Sequence, residues 1–168
     1  MTLSVQQLFP GDATSYRSLR LDGLRRHPEA FGASWDDEAG KPLEWFAARL
    51  QGSPVFGSWL ADGSLAGVAG LRVPEPAKLR HKGVLWGMYV LPEARGTGMA
   101  AALMQHVIGQ ASGTVEELLL TYTSSNVAAA KLYGRFGFKQ YGAEPRAVKI
   151  EDRYHDVVLM RLCLPGSG

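Results

Sequence analysis

The stretch Tyr89-Val90-Leu91-Pro92-Glu93-Ala94-Arg95-Gly96-Thr97-Gly98-Met99-Ala100 decides how this chain is read. An apolar, strand-like run ends at Leu91, a short loop with two glycines follows, and a helical pattern opens at Gly98. Backbone N–H groups at a helix start lack intrahelical partners and carry partial positive charge, so such a loop is an anion site. Gly96 and Gly98 remove side chains that would keep an anion from the backbone. Arg95 adds a forked cation suited to phosphate oxygens. By physics alone the segment is a phosphate or pyrophosphate cradle; a plain strand-to-helix turn is the bland alternative in a chain with 20 glycines. No Gly-Lys-Ser/Thr follows, so it is not a P-loop, and Ala101 stands where a dinucleotide fingerprint needs its third glycine.

Outward from the cradle, the chain alternates between the two regular patterns. The cradle follows a strand at Val84–Leu91 and opens a helix at Gly98–Gln110. Glu117–Thr123 reads as a strand and Val127–Phe136 as a helix, closed by Gly137 with Phe138 packing back on the last turn. Tyr154–Leu164 is a long β-rich run, paired with a strand that starts near Phe138. On the N-terminal side, Leu65–Val73 pairs with Val55–Leu60 across Asp62-Gly63, a tight turn with positive φ expected at both residues. A strand at Leu3–Leu8 precedes a helix at Ala13–Arg26, with Asp12 as its cap and Pro28 ending it. A second helix covers Pro42–Leu50, and Glu29–Gly40 between them is an acidic loop carrying Phe31 and Trp35. The order β-α-α-β-β-β-α-β-α-β-β predicts an α/β fold, a mixed sheet flanked by helices.

Two segments together resemble one family. Arg95-Gly96-Thr97-Gly98-Met99-Ala100, behind Val90-Leu91-Pro92, is similar to the Arg/Gln-x-x-Gly-x-Gly/Ala signature of GNAT N-acetyltransferases. Asn126, 26 residues after Ala100, opens Asn126-x-x-Ala129-x-x-Leu132-Tyr133-x-x-x-Gly137-Phe138, which resembles the family's second hallmark. The likeness covers Val55–Leu162. Leu19-Arg20-Leu21 and Pro28–Ser34 look like the N-terminal arm of some members. The resemblance implies one domain over residues 1–168, with a largely antiparallel sheet of about 6–7 strands, about 4 helices and splayed central strands. It implies acetyl-CoA as the acyl donor, its pantetheine arm lying between the splayed strands and its pyrophosphate on the amides of Arg95, Gly96, Thr97, Gly98, Met99 and Ala100. It implies that Asn126 bonds the pantetheine arm, that Tyr133 is the general acid, and that a free N–H near Tyr89 or Val90 faces the acetyl carbonyl.

Those roles make chemical sense. Aminolysis of a thioester needs a neutral amine, a polarised carbonyl and a protonated leaving thiol. A phenol of ordinary pKa about 10 can donate toward a thiolate of about 8.5. A backbone donor can hold the charge that grows on the carbonyl oxygen. Bland roles stay open beside these. Tyr133 shares a helix face with Ala129, Leu132 and Phe136 and can be core; Asn126 can be an N-cap; Lys131 and Arg135 read as solvated helix charges. The strand Val84–Leu91 carries no carboxylate, so no general base is visible there, and Glu38 or Tyr122 acting through water are the distant candidates. A non-catalytic acyl-CoA-binding or sensing module on the same fold is the alternative function.

Composition sets the remaining expectations. The 168 residues are 46% hydrophobic and 20% charged with net charge +2, so no field calls for nucleic acid or an anionic membrane. Cys163 is the single cysteine and is expected as a small buried hydrophobe; no disulfide framework forms and a reducing, cytoplasmic setting is expected. No signal peptide or spanning run is visible. His27, His81, His106 and His155 lack metal-ligand spacing and are read as structural or surface, so no metal is expected. The partners expected are acetyl-CoA and an amine acceptor, with a homodimer open; the acceptor pocket is expected from the first two helices, the Glu29–Gly40 loop and the final strands.

Overall fold

The computed structural model describes residues 3–165. One seven-stranded sheet forms the middle: β1 Val5–Gln7, β2 Val55–Trp59, β3 Leu65–Arg72, β4 Lys82–Val90, β5 Glu117–Thr123, β6 Lys139–Ile150 and β7 Arg153–Cys163. Its order is β1-β2-β3-β4-β5-β7-β6, antiparallel at every pairing except β4 with β5. Strand β3 is buried from Leu65 to Leu71 because helices cover both faces of the sheet. One face carries α4 Met99–Ala111, whose buried Met99, Leu103, Met104, Val107 and Ala111 recur at helical spacing, together with α5 Val127–Arg135. The other face carries α1 Ala13–Arg26 and α3 Leu43–Gly52, which bury Tyr16, Leu19, Leu24, Phe46 and Leu50 against Val68 and Tyr89. Leu103 is fully buried, so Leu103→Ala is worth about 2–5 kcal/mol of stability.

Several expectations are corrected. The Glu29–Gly40 segment is not a plain loop: Pro28–Ala30 is a 3-10 turn and α2 Trp35–Glu38 is a short helix. Ser34 accepts from the Asp37 N–H while Asp37 accepts from the Ser34 N–H, a reciprocal cap that starts α2. Asp12 does not cap α1; its carboxylate turns back to the Phe9 N–H at 2.8 Å. In the β2–β3 turn only Gly63 has positive φ, at 86°, because the turn is three residues long with Asp62 accepting from Ser64. Cys163 lies exposed near the end of β7, not in the core. Gly137 does end α5 as expected: the Phe138 N–H reaches the Tyr133 carbonyl and the Gly137 N–H reaches that of Gly134. Among the described residues no helix is long and apolar enough to cross a membrane.

Candidate active site

Parallel strands β4 and β5 pair only at Lys82↔Glu117, Gly83↔Leu118 and Val84↔Leu119. Beyond those pairs each strand follows its other neighbour: β4 stays with β3 as far as Gly67↔Val90, and β5 stays with β7 as far as Thr123↔Val157. A bulge helps turn β4 away. Between Val68↔Tyr89 and Gly70↔Trp86 it uses one residue more than β3, with Gly87 at φ 61°. The sheet therefore opens into a V. A cleft of about 610 Å³ fills it, with Met88, Tyr89 and Val90 from β4 and Asn126, Ala129 and Tyr133 from the α5 side.

Arg95 and Ala100 reach the same cleft from the start of α4. Gly96 and Gly98 sit at φ 79° and 84°, a left-handed backbone that L side chains rarely adopt. No side chain caps α4 and no acidic residue lies in its first turn, so its leading N–H groups keep their positive end for a ligand. Thr97 does not add a free hydroxyl, since its Oγ1 donates to the Ala94 carbonyl at 2.5 Å. Met99 sends its side chain into the core against Gly67, which leaves only its backbone N–H at the helix start. Arg95 is exposed, with Nη2 at 3.3 Å from His27 Nε2.

On the opposite wall Asn126 is the N-cap of α5: its Oδ1 accepts from the Ala129 N–H at 3.0 Å. Capping uses the side-chain oxygen and leaves the amide NH₂ for a ligand acceptor, so the two readings of Asn126 are compatible. Tyr133 is both buried and part of the cleft lining. Its ring is buried between Tyr122 and Phe138, with centroids at 5.9 and 6.0 Å, while its residue lines the cleft. The nearest partner of its hydroxyl is Met88 Sδ, at 4.0 Å. Burial pushes the Tyr133 phenol up to about 12.

The structure also brings in residues that the sequence reading set aside. His27 is not a surface histidine; it lines the cleft beside Arg95, with Nδ1 at 3.9 Å from Glu29 Oε1. Glu29 is the carboxylate of the cleft lining, and its backbone carbonyl accepts from Thr123 Oγ1. His27 carried no motif, while Glu29 lies in the Pro28–Ser34 arm and the loop expected at the acceptor pocket; Pro28, which follows the end of α1, brings both to the cleft. Glu38 is not a distant base. It is 3% exposed and locked in ion pairs with Arg20 and Arg49. Tyr89 turns its hydroxyl away to Asp22 Oδ2 at 2.7 Å, where burial and that carboxylate hold its pKa well above the ordinary value. Only its backbone is left for the site. Among the described residues no cluster of His, Cys, Asp and Glu suits a metal ion.

Residues 21–138 match the acetyltransferase (GNAT) family. This chain belongs to that family. The GNAT frame accounts for the whole sheet: an acetyltransferase of the family from Streptococcus pneumoniae superposes with a TM-score of 0.85 at 24% identity, over 97% of this chain and 99% of that one. A phosphinothricin acetyltransferase of the same superfamily from Sinorhizobium meliloti, solved with acetyl-CoA, superposes with a TM-score of 0.81 at 20% identity, over 98% and 89%. In sequence, an L-methionine sulfoximine/L-methionine sulfone acetyltransferase from Pseudomonas paraeruginosa is 30% identical over 122 residues, 71% of each chain. The protein is thus a GNAT acetyltransferase with its V-shaped cleft intact.

Proposed function

We propose that this GNAT enzyme passes the acetyl group of acetyl-CoA directly to the primary amine of a small amino-acid-like acceptor. The observation that carries the proposal is the early end of β4–β5 pairing at Val84↔Leu119, which opens a cleft between an uncapped helix start and a buried tyrosine. A narrow, strand-wide opening suits the extended pantetheine arm, and the free amides between Arg95 and Ala100 suit its pyrophosphate. Asn126 offers its NH₂ to the arm, and the backbone N–H of Tyr89 or Val90 offers a donor to the acetyl carbonyl. Acetyl-CoA supplies the activated acyl group. The chain supplies position, exclusion of water and a proton.

Tyr133 is proposed as the acid. With its phenol near 12 it stays protonated throughout and acts by donating a hydrogen bond to the leaving sulfur. The amine reaches the carbonyl from the β5–α1 side of the cleft, where His27 and Glu29 are the titratable groups. The amino-acid-like acceptor is supported by the relative that acetylates methionine sulfoximine and sulfone.

The test is release of CoA thiol from acetyl-CoA across a panel holding L-methionine sulfone, a short polyamine and a peptide N-terminus. The expected outcome is turnover that favours the amino acid. Acetyl-CoA binding without thiol release from any amine would instead mark a non-catalytic acyl-CoA sensor.

A further inference from the structure

The α1 face of the sheet holds a charge arrangement that acetyl transfer itself does not use. Arg20, 6% exposed, grips Glu38 side-on, with Nε at 3.0 Å from Oε2 and Nη2 at 2.9 Å from Oε1. Arg49 adds Nη1 at 3.3 Å from the same Oε1. Two guanidiniums therefore share one carboxylate. Burial pushes the Glu38 carboxyl up, but the hydrogen bonds and charges of Arg20 and Arg49 together outweigh it and hold it below its ordinary value. Arg17 stands nearby on the ring of Phe46 and donates to the Ala39 carbonyl. Tyr16, raised by burial, completes the surroundings. No second carboxylate pairs with Arg17, Arg20 or Arg49 among the described residues. The buried Arg20 and Glu38 balance one for one, and Arg49, 27% exposed, gives the cluster a net positive charge.

One edge of Arg20 is left over. Its Nη1 makes no hydrogen bond among the described residues, and it is not one of the two sealed polar atoms without a partner, Ser58 Oγ and Trp86 Nε1. It faces Gly87, where an added Cβ would stand 3.5 Å from Nη1. The guanidinium lies over the ring of Phe31, 5.1 Å from its centroid. Gly87 and Phe31 both line a recess of about 70 Å³ that shares Met88, Asn126 and Tyr133 with the main cleft. That volume is about twice one water's share of the liquid, the size of a carboxylate group. No acidic side chain lines the recess, which disfavours a second cationic group there.

We propose that Arg20 is the anion anchor of the acceptor site, recognising the α-carboxylate of an amino-acid acceptor through Nη1 beneath Gly87. The proposal rests on the acetyltransferase reading of the same cleft. Glu38 is a positioning residue: by holding Nε and Nη2 it leaves only the Nη1 edge for a ligand, and Phe31 fixes the plane. Glycine at position 87 keeps that edge open. The Leu19-Arg20-Leu21 segment and the Pro28–Glu38 segment thus work as one device, the first carrying the cation and the second its clamp.

The experiment compares kcat/KM for L-methionine sulfone and for its α-carboxamide in the wild type, Arg20→Lys and Gly87→Ala, with CoA thiol release as the readout. A charge-assisted hydrogen bond predicts that the wild type favours the acid by about 10- to 100-fold. Arg20→Lys should bring that ratio near one, through a higher KM for the acid and a nearly unchanged kcat. Retention of the acetyl-CoA-induced rise in melting temperature shows that the variant is folded. Gly87→Ala covers the same edge without touching the ion pair but strains the bulge at φ 61°. Its ratio is therefore read only with the acetyl-CoA-induced rise in melting temperature retained, and the wild-type acid-to-amide ratio carries the test by itself if neither variant folds. Equal use of acid and amide by the wild type overturns the proposal, as does a preference that survives both substitutions. If other amines are acetylated and neither α-amino compound is, the amino-acid acceptor itself is wrong and the anchor falls with it. If no amine releases thiol, the failure belongs to the activity instead.

Discussion

Two helices start on opposite sides of one cleft, and they meet the same physical problem in opposite ways. Each follows a strand of the splayed pair and each begins with unpaired backbone N–H groups. Helix α5 covers one of them with its own Asn126 Oδ1. Helix α4 begins at Gly98 with no capping side chain, no acidic residue in its first turn and a left-handed backbone. With glycine at the cap position, the missing side chain forgoes only a few tenths of a kcal/mol. Helices α1 and α3 also start without a side-chain cap, but the uncapped start of α4 is the one whose Arg95 and Ala100 line the cleft. On the proposed mechanism the α4 side binds, whereas the capped α5 side holds Tyr133 rigidly.

Substitutions on the two sides should therefore fail differently. The largest effect belongs to the rigid side. Tyr133→Phe keeps the ring between Tyr122 and Phe138 and removes only the hydroxyl; turnover is expected to fall roughly ten- to a thousand-fold with acetyl-CoA affinity little changed. Single-turnover kinetics with unchanged rates would return Tyr133 to the core. The next effect belongs to the binding side. Gly98→Asp strains the left-handed backbone, which lowers the melting temperature of the free enzyme, and places a carboxylate at the helix start, so KM for acetyl-CoA should rise about tenfold or more. The smallest is Asn126→Ala, which loses the α5 cap and about 1 kcal/mol of stability in denaturant unfolding. A Gly98 variant that loses as much stability and no affinity would erase the contrast.

The pH dependence sharpens the same contrast. The proposed acid, Tyr133, acts while protonated, and with its pKa raised to about 12 it stays so up to about pH 10–11. Activity should therefore show no alkaline fall below that range. On the acid side kcat/KM should rise with pH, and two accepted amines whose pKa values differ by about 2 units should place that rise at two different pH values, since only the free amine attacks. One shared position for both amines would contradict capture of the free amine and direct mutagenesis to His27 and Glu29, the titratable pair in the cleft.

Much of this was legible in the residues. The helix after β4, the glycine loop before it and the cap at Gly137 follow from local chemistry, and local chemistry is what a sequence displays directly. The splay between β4 and β5 came only with the family resemblance, because the point where a pairing stops depends on both strands' other neighbours. His27 and Glu38 turn out differently for a related reason. Each lies in or beside the Pro28–Gly40 segment, whose path is set by Ser34 capping and by the reach of Arg20, 18 residues before Glu38 in the chain. Acidic residues beside glycines look solvated until a distant arginine is seen to hold one of them. Cys163 was expected inside since cysteine usually packs there, but it falls on the exposed side of β7.

We propose that acetyl-CoA holds on at the uncapped start of α4. Thermal unfolding of three proteins, each with and without acetyl-CoA at a concentration about 100 times the wild-type Kd, tests it most directly. The wild type should gain about 2.7 kcal/mol, a rise of roughly 5–10 °C for a domain of this size. Asn126→Ala should start lower and keep most of that rise, while Gly98→Asp, its own starting point lowered by the strained backbone, should lose most of it. A full ligand-induced rise in Gly98→Asp, or none in the wild type, would contradict the claim.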